Sequence, residues 1–207
     1  MHGHKYFLTI LDDFSRYTWS ILLKSKAEVQ SKVEHFINFV ETQFELKVKS
    51  ICSYNGPEFH LTSLLASKGI LHQTSCVETP KKNGRVERKH QHILNVARAL
   101  MFQSHFPTHF WSYAIKHVVY LINRVPSPII GNKTLFELLF KQPPNFTMLK
   151  VFGCLSYAST HVSHRHKFDP RARRDIFLGY QTRIKDTLFL TSTQRSFLFP
   201  RMFTFMR

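Results

Sequence analysis

Residues 5–11 and 17–23 are rich in β-branched and aromatic side chains and are separated by the polar run Asp12-Asp13-Phe14-Ser15-Arg16, a pattern that predicts two neighbouring strands of a hairpin. Between 26 and 44, Val29, Val33, Phe36, Val40 and Phe44 recur at steps of three and four, so they share one face of a helix whose other face is charged. Residues 48–53 read as a short strand ending in the turn Asn55-Gly56-Pro57, and 58–67 as a helix after it. A strand, a turn and a helix in that order often present side chains at the end of a sheet.

The rest of the chain is more helical and then turns to strands. Residues 69–75 predict a further strand, followed by a polar loop through Gly84 and a long helix over 85–103, with Val86, Ile93, Leu94, Ala97, Leu100 and Met101 as its apolar stripe. Another helix is predicted over 108–123, and Thr134 with Glu137 forms the Thr-x-x-Glu capping box of a short one. Beyond Leu149 the pattern shortens to apolar runs at 150–157 and 175–180 joined by a basic loop, which suggests a small β-barrel appended near Asn145. The chain carries neither an internal repeat nor a low-complexity stretch.

With 207 residues, 43% of them hydrophobic, the chain can bury a core and has room for one domain plus a small appendage. Charge changes the picture more. Twenty-nine Lys and Arg against 13 Asp and Glu leave a net charge of +16, which favours a polyanionic partner and disfavours a small-metabolite enzyme. Nucleic acid is the natural candidate; a merely basic, ribosomal-type surface is the plain alternative. Three cysteines, Cys52, Cys76 and Cys154, are too far apart for a Cys-x-x-Cys knuckle and odd in number for a disulfide framework. No apolar run reaches the roughly 18 to 20 residues of a membrane span, and residues 1–5 lack a signal-peptide pattern. The expectation is an intracellular protein, nuclear or cytoplasmic, with no membrane anchor.

Three segments carry chemistry, in this order: Asp12-Asp13-Phe14-Ser15-Arg16; Ser53-Tyr54-Asn55-Gly56-Pro57-Glu58-Phe59; and Asn83-Gly84-Arg85-Val86-Glu87-Arg88. Together they resemble the retroviral-type integrase core, an RNase H-like α/β fold. The runs Arg88-Lys89-His90, Asn95-Val96-Ala97-Arg98-Ala99-Leu100, Tyr120-Leu121-Ile122-Asn123-Arg124 and Val151-Phe152-Gly153-Cys154 resemble its copia-type retrotransposon branch, over roughly residues 4 to 185. The resemblance implies an integrase core with a helical extension over 1–145 and a small, incomplete SH3-like β domain over 146–185.

It also implies three carboxylates converging on two Mg²⁺ or Mn²⁺ ions, which would activate water or a DNA 3′-hydroxyl for in-line phosphoryl transfer. The first belongs to an opening strand upstream of the hairpin, and the expectation is that this chain lacks it. Asp12 and Asp13 match the family's turn aspartates, whose plain role is local backbone bonding. The second position is held by Tyr54, a neutral phenol and a poor ligand for a hard cation. Glu58 lies nearby, about a helical turn further on, where it reads as charge stabilisation of a helix start. The third carboxylate is Glu87, flanked by Arg85, Arg88 and Lys89, and on its own it also reads as a solvated helix-start glutamate. Positions 55 to 86 put 32 residues between Tyr54 and Glu87, shorter than the family's usual spacing. Catalysis, and Mg²⁺ or Mn²⁺ binding, are therefore expected to be lost.

Lys81, Lys82, Arg85, Arg88, Lys89 and Arg98 gather about the long helix, and Arg165, Lys167, Arg171, Arg173 and Arg174 about the later loop. Both clusters suit phosphate contact without sequence reading, and a solvated basic face is their plain alternative. His161, His164 and His166 have no cysteine or acid to complete a tetrahedral zinc set. In the tail, family-like codons TCC AAG AAT GTT T read one nucleotide late give Pro-Arg-Met-Phe, which is Pro200 to Phe203. Residues 186–207 are accordingly expected to be a frameshifted tail. Three functional readings stand side by side: a degenerate integrase core, with self-association open to it, a non-enzymatic module binding DNA or a partner protein, and a decayed reading frame.

Overall fold

The computed structural model describes residues 3–74, 84–159, 166–180 and 187–191. They form two compact units, one of residues 1–11 and 18–92, the other of residues 12–17 and 93–207.

In the first unit, β1 (Tyr6–Leu11) and β2 (Thr18–Leu23) pair antiparallel with Leu11 opposite Thr18, the hairpin that the alternation predicts. A 3-10 turn (Lys26–Glu28) leads into α1 (Val29–Phe44), which buries Val29, Val33 and Ile37. The buried line is thus a strict i, i+4 ridge, and Ile37 takes the place that periodicity gave to Phe36. Phe36 is displaced to the ridge's flank, where it meets Trp19 edge-on at 5.1 Å. Glu45 ends the helix in the left-handed conformation, with φ 55°.

The strand β3 (Ser50–Ser53) pairs in parallel with β4 (Leu71–Thr74), and α2 (Thr62–Ser67) is the crossover between them. The single helix expected over 58–67 is split: Pro57–Phe59 is a 3-10 turn, and the α-helix starts only at Thr62. Leu61 N–H donates to the Phe59 carbonyl, so the regular i to i+4 ladder does not start until the chain is past it. Leu23, Val29, Val33, Ile37, Leu61, Leu65 and Ile70 close the core, with Leu8 and Ile51 packed against it. Among the described residues the hairpin and the parallel pair are separate two-stranded sheets, so shared helices rather than strand bonds hold them over one core.

The long helix α3 (Gly84–Gln103) gives its first residues to this unit and the remainder to the second. In the second unit a 3-10 turn (Thr108–Phe110) opens α4 (Trp111–Ile122), which buries Ala114, Ile115, His117, Val118 and Val119. The capping box before α5 (Leu135–Phe140) is formed: Glu137 N–H donates to Thr134 Oγ1 at 3.0 Å, and Thr134 N–H donates to the Glu137 carboxylate at 2.7 Å.

A three-stranded antiparallel sheet follows, in the order β5 (Leu155–Ser159), β6 (Ala172–Tyr180), β7 (Thr187–Thr191). Phe177 and Leu178 of β6 are fully buried, and His117 of α4 stacks on Tyr180 with ring centroids 5.6 Å apart. Gly179, at φ +128°, lies where a Cβ would meet His117 Cβ at 3.4 Å, so a glycine lets helix and strand approach. The division into units falls within α3, at 92/93, and in the second unit α4 and β6 bury their apolar faces on each other. Strand β7 lies in the segment expected to be a frameshifted tail, and it pairs with β6 from Asp175 opposite Thr191 to Tyr180 opposite Thr187.

Candidate metal and nucleic-acid site

The end of β3 and the first turns of α3 bring the candidate residues together. Ser53, 6% exposed, closes the strand; its hydroxyl donates to the Tyr54 carbonyl at 3.2 Å and shares a hydrogen bond with His72 Nε2 of β4 at 2.9 Å. Parallel pairing sets Ser53 opposite Thr74, two residues past His72 and therefore on the same face of the pair, which explains why the Ser53 and His72 side chains meet. Tyr54 follows, half-buried, beside the Glu87 carboxylate. Burial first, then that carboxylate, pushes the phenol well above its ordinary value, so Tyr54 stays protonated and neutral. Glu87 is solvent-exposed in the first turn of α3, in favourable alignment with the helix dipole.

A second tie lies one turn on. His90 Nδ1 shares a hydrogen bond of 2.8 Å with Thr9 Oγ1 of β1, and its ring stacks on Phe7 at 4.3 Å and 10°. Burial holds this imidazole below its usual value. Thr9 and His72 carry no sequence signal and His90 enters only as part of the run Arg88-Lys89-His90, since their pairings join residues far apart in the chain.

The residues on hand do not fit a two-metal centre. Such a site needs several anionic oxygens at one place. Here one carboxylate meets a phenol, and among the described residues no group of three or more His, Cys, Asp or Glu could hold an ion. Glu58 is committed elsewhere, accepting from Lys26 Nζ at 2.9 Å, a contact that holds its carboxyl below the usual range. Asp12 is a turn residue, as its position suggests: its carboxylate accepts from the Ser15 N–H at 2.7 Å and the Ser15 hydroxyl at 2.6 Å, while Asp13 pairs with Arg16. His166 donates its backbone N–H to Asp169 at 2.7 Å, and His161 and His164 lie outside the described residues.

The basic set divides. Arg85 and Arg88 are exposed near Glu87, whereas Lys89 is half-buried, and burial holds its ammonium below the ordinary value. Lys89 is on the helix flank that meets protein, a correction to its grouping with the open cations, because consecutive residues on a helix point about 100° apart. Arg98 is exposed, with Nη1 3.5 Å from Asn95 Oδ1. Lys81 and Lys82 lie outside the described residues. In the later cluster Lys167, Arg171 and Arg174 are exposed.

The chain is 39% identical over 179 residues to the Retrovirus-related Pol polyprotein from transposon RE2 of Arabidopsis thaliana, across 86% of this chain and 12% of that protein. It is 33% identical over 183 residues to the corresponding polyprotein from transposon TNT 1-94 of Nicotiana tabacum, across 87% of this chain and 14% of that protein. The chain is homologous to a segment of retrotransposon Pol polyproteins. The chain spans about an eighth of the length of those relatives.

The family model described as the retroviral polymerase SH3-like domain matches residues 154–206 of the Pol segment, a span that includes β5, β6 and β7 and runs past residue 186. A chain in the cryo-EM structure of the simian T-cell lymphotropic virus intasome in complex with PP2A regulatory subunit B56 gamma superposes with TM-score 0.52 at 15% identity, over 89% of this chain and 69% of that one. The catalytic core domain of HTLV-2 integrase, solved in complex with magnesium, is similar at TM-score 0.47 and 21% identity, over 64% of this chain and 82% of that one. The chain shares its α/β fold with that intasome chain, and its residues 154–206 match the SH3-like domain. No helix among its described residues is long and apolar enough to cross a membrane.

Proposed function

We propose that this Pol segment is an integrase core that binds nucleic acid through its phosphates and does not join DNA ends. One observation carries the reading: the half-buried Tyr54, a phenol kept neutral, stands beside Glu87, so the surviving carboxylate is not matched by a second one there. Metal-assisted phosphoryl transfer needs anionic ligands that fix two ions at once, and a neutral phenol with one glutamate supplies too few. Exposed Arg85 and Arg88 beside it, on a chain of net charge +16, suit contact with a phosphate backbone. An intracellular setting, nuclear or cytoplasmic, and self-association belong to the same proposal, as does a two-part organisation with the SH3-like module after about residue 145. For residues 186–207, the family match to residue 206 and the pairing of β7 favour the in-frame reading over a frameshift, and genomic sequence on both flanks decides between them.

Purified protein incubated with donor-end DNA and Mg²⁺ or Mn²⁺ tests the central point. The expected result is no joined product alongside salt-sensitive retention of the DNA. Robust joining that disappears in Glu87→Gln would overturn the inactive reading.

A further inference from the structure

The β5–β6 part of the late sheet is closed on one face and open on the other. Ser156, Asp175 and Phe177 are buried, whereas Leu155, Tyr157 and Ser159 are exposed, Leu155 at 60% and Tyr157 at 55%. Alternate residues of a strand point to opposite faces, so these three share the open one. Register sets Tyr157 opposite Arg174 and Ser159 opposite Ala172, both exposed on β6. A ring and a guanidinium therefore stand as cross-strand neighbours on open sheet surface. Charge continues into the turn before β6. Between residues 160 and 174 the sequence carries five Lys and Arg against the single Asp169, whose carboxylate accepts from the His166 N–H. Lys167 and Arg171 are exposed, and Phe168 beside Lys167 is 96% exposed.

We propose that this open face and the turn before it bind single-stranded nucleic acid, with an unpaired base stacked on Tyr157 and the neighbouring cations on the phosphates. The occupant follows from the two chemistries together. Lysine and arginine alone serve duplex and single strand alike, because both carry phosphates. An exposed ring adds affinity only where a base can leave its own stack and lie on it, which a single strand allows and an intact duplex does not. The plain role of the pair, a cross-strand Tyr–Arg contact that supports the sheet, predicts no dependence on bases. The inference rests on the phosphate-binding reading above and adds base dependence to it.

Fluorescence anisotropy of the full chain tests it with labelled oligothymidylate, a strand of equal length that is abasic throughout, and a duplex of that length. The abasic strand keeps the phosphates and removes the bases. Wild type is expected to bind oligothymidylate about tenfold more tightly than the abasic strand. Tyr157→Leu should lose most of that margin while keeping its affinity for the abasic strand and the duplex, which also shows that the variant is folded. Tyr157→Phe, which keeps the ring, should retain the margin. Arg174→Gln should instead reduce the log–log salt slope on the single strand by about 0.7, the effect of one lost phosphate contact. Equal wild-type affinity for the oligothymidylate and abasic strands would overturn the stacking site while leaving phosphate binding in place, and that comparison needs no variant. A full margin in Tyr157→Leu, or polyglutamate competing as well as oligothymidylate, would also sink it. Binding to none of the probes would remove the phosphate-binding reading along with it.

Discussion

Tyr54 and His117 show how far a single side chain's surroundings decide its chemistry. Tyr54 sits where the resemblance implies an aspartate, yet reversing the substitution does not rebuild a metal site. Glu58 is held by Lys26 and Asp12 by Ser15, so Tyr54→Asp adds a second carboxylate beside Glu87 with no third group nearby among the described residues. The variant is expected to show no strand transfer in the donor-end assay, and joining above the wild-type background would contradict that. His117 is 1% exposed, its Nδ1 lacks a partner, and burial pulls its pKa down to about 4. The folded state therefore holds it neutral. Its contribution to stability is complete above the unfolded value near 6.5 and is lost as pH falls toward about 4, to a total of roughly 3 kcal/mol. Tyr113, Lys116 and Tyr120 on α4 and Arg174, Asp175 and Tyr180 on β6 are other ionisable groups on the packed elements. The check is a difference measurement: His117→Phe should lose less stability than wild type between pH 6.5 and 4 in urea melts, and parallel losses would refute the assignment.

At the level of elements, caps and short-range bonds set where helices begin. The box at Thr134 and Glu137 is reciprocal and near-ideal in length, which explains how α5 forms with only six residues. Thr134→Ala is expected to cost about 1 kcal/mol, measured as a shift of the urea midpoint at unchanged slope. A cost under a few tenths would mean that α5 is held by packing instead, for which Phe136 and Phe140, 4.6 Å apart, are the candidates. The segment after β3 makes the opposite case. Helix periodicity there continues through 58–61, but Pro57 and the tight Leu61-to-Phe59 bond delay the α-helix to Thr62.

For the whole molecule the governing quantity is charge. A net +16 favours association with any polyanion, and each phosphate contact releases condensed counterions. Affinity for double-stranded DNA should therefore fall steeply with salt. Replacing both Arg85 and Arg88 by Gln should weaken binding similarly for unrelated sequences and reduce the log–log salt slope by about 2, one for each lost contact. Filter binding between 50 and 200 mM salt measures this; an unchanged slope would place the contact surface elsewhere, with Lys167, Arg171 and Arg174 the next set to neutralise.

Local pattern alone determined much of this protein. The opening hairpin, α1, α3, α4, the Thr134 capping box and the run of late strands were all legible, because period-2 and period-3.6 spacing and capping chemistry are short-range properties of the chain. The motifs also located Tyr54 and Glu87 as the positions to compare. Tertiary structure alone decided what those positions do. That Tyr54 stands beside Glu87, that His90 ties α3 to β1, that Lys89 is half-buried while Arg88 faces solvent, and that α4 packs on β6 all depend on the tertiary fold. Sequence spacing fixes neither distance nor burial, and those two quantities determine whether a side chain is a ligand, a hydrogen-bond partner or part of a core.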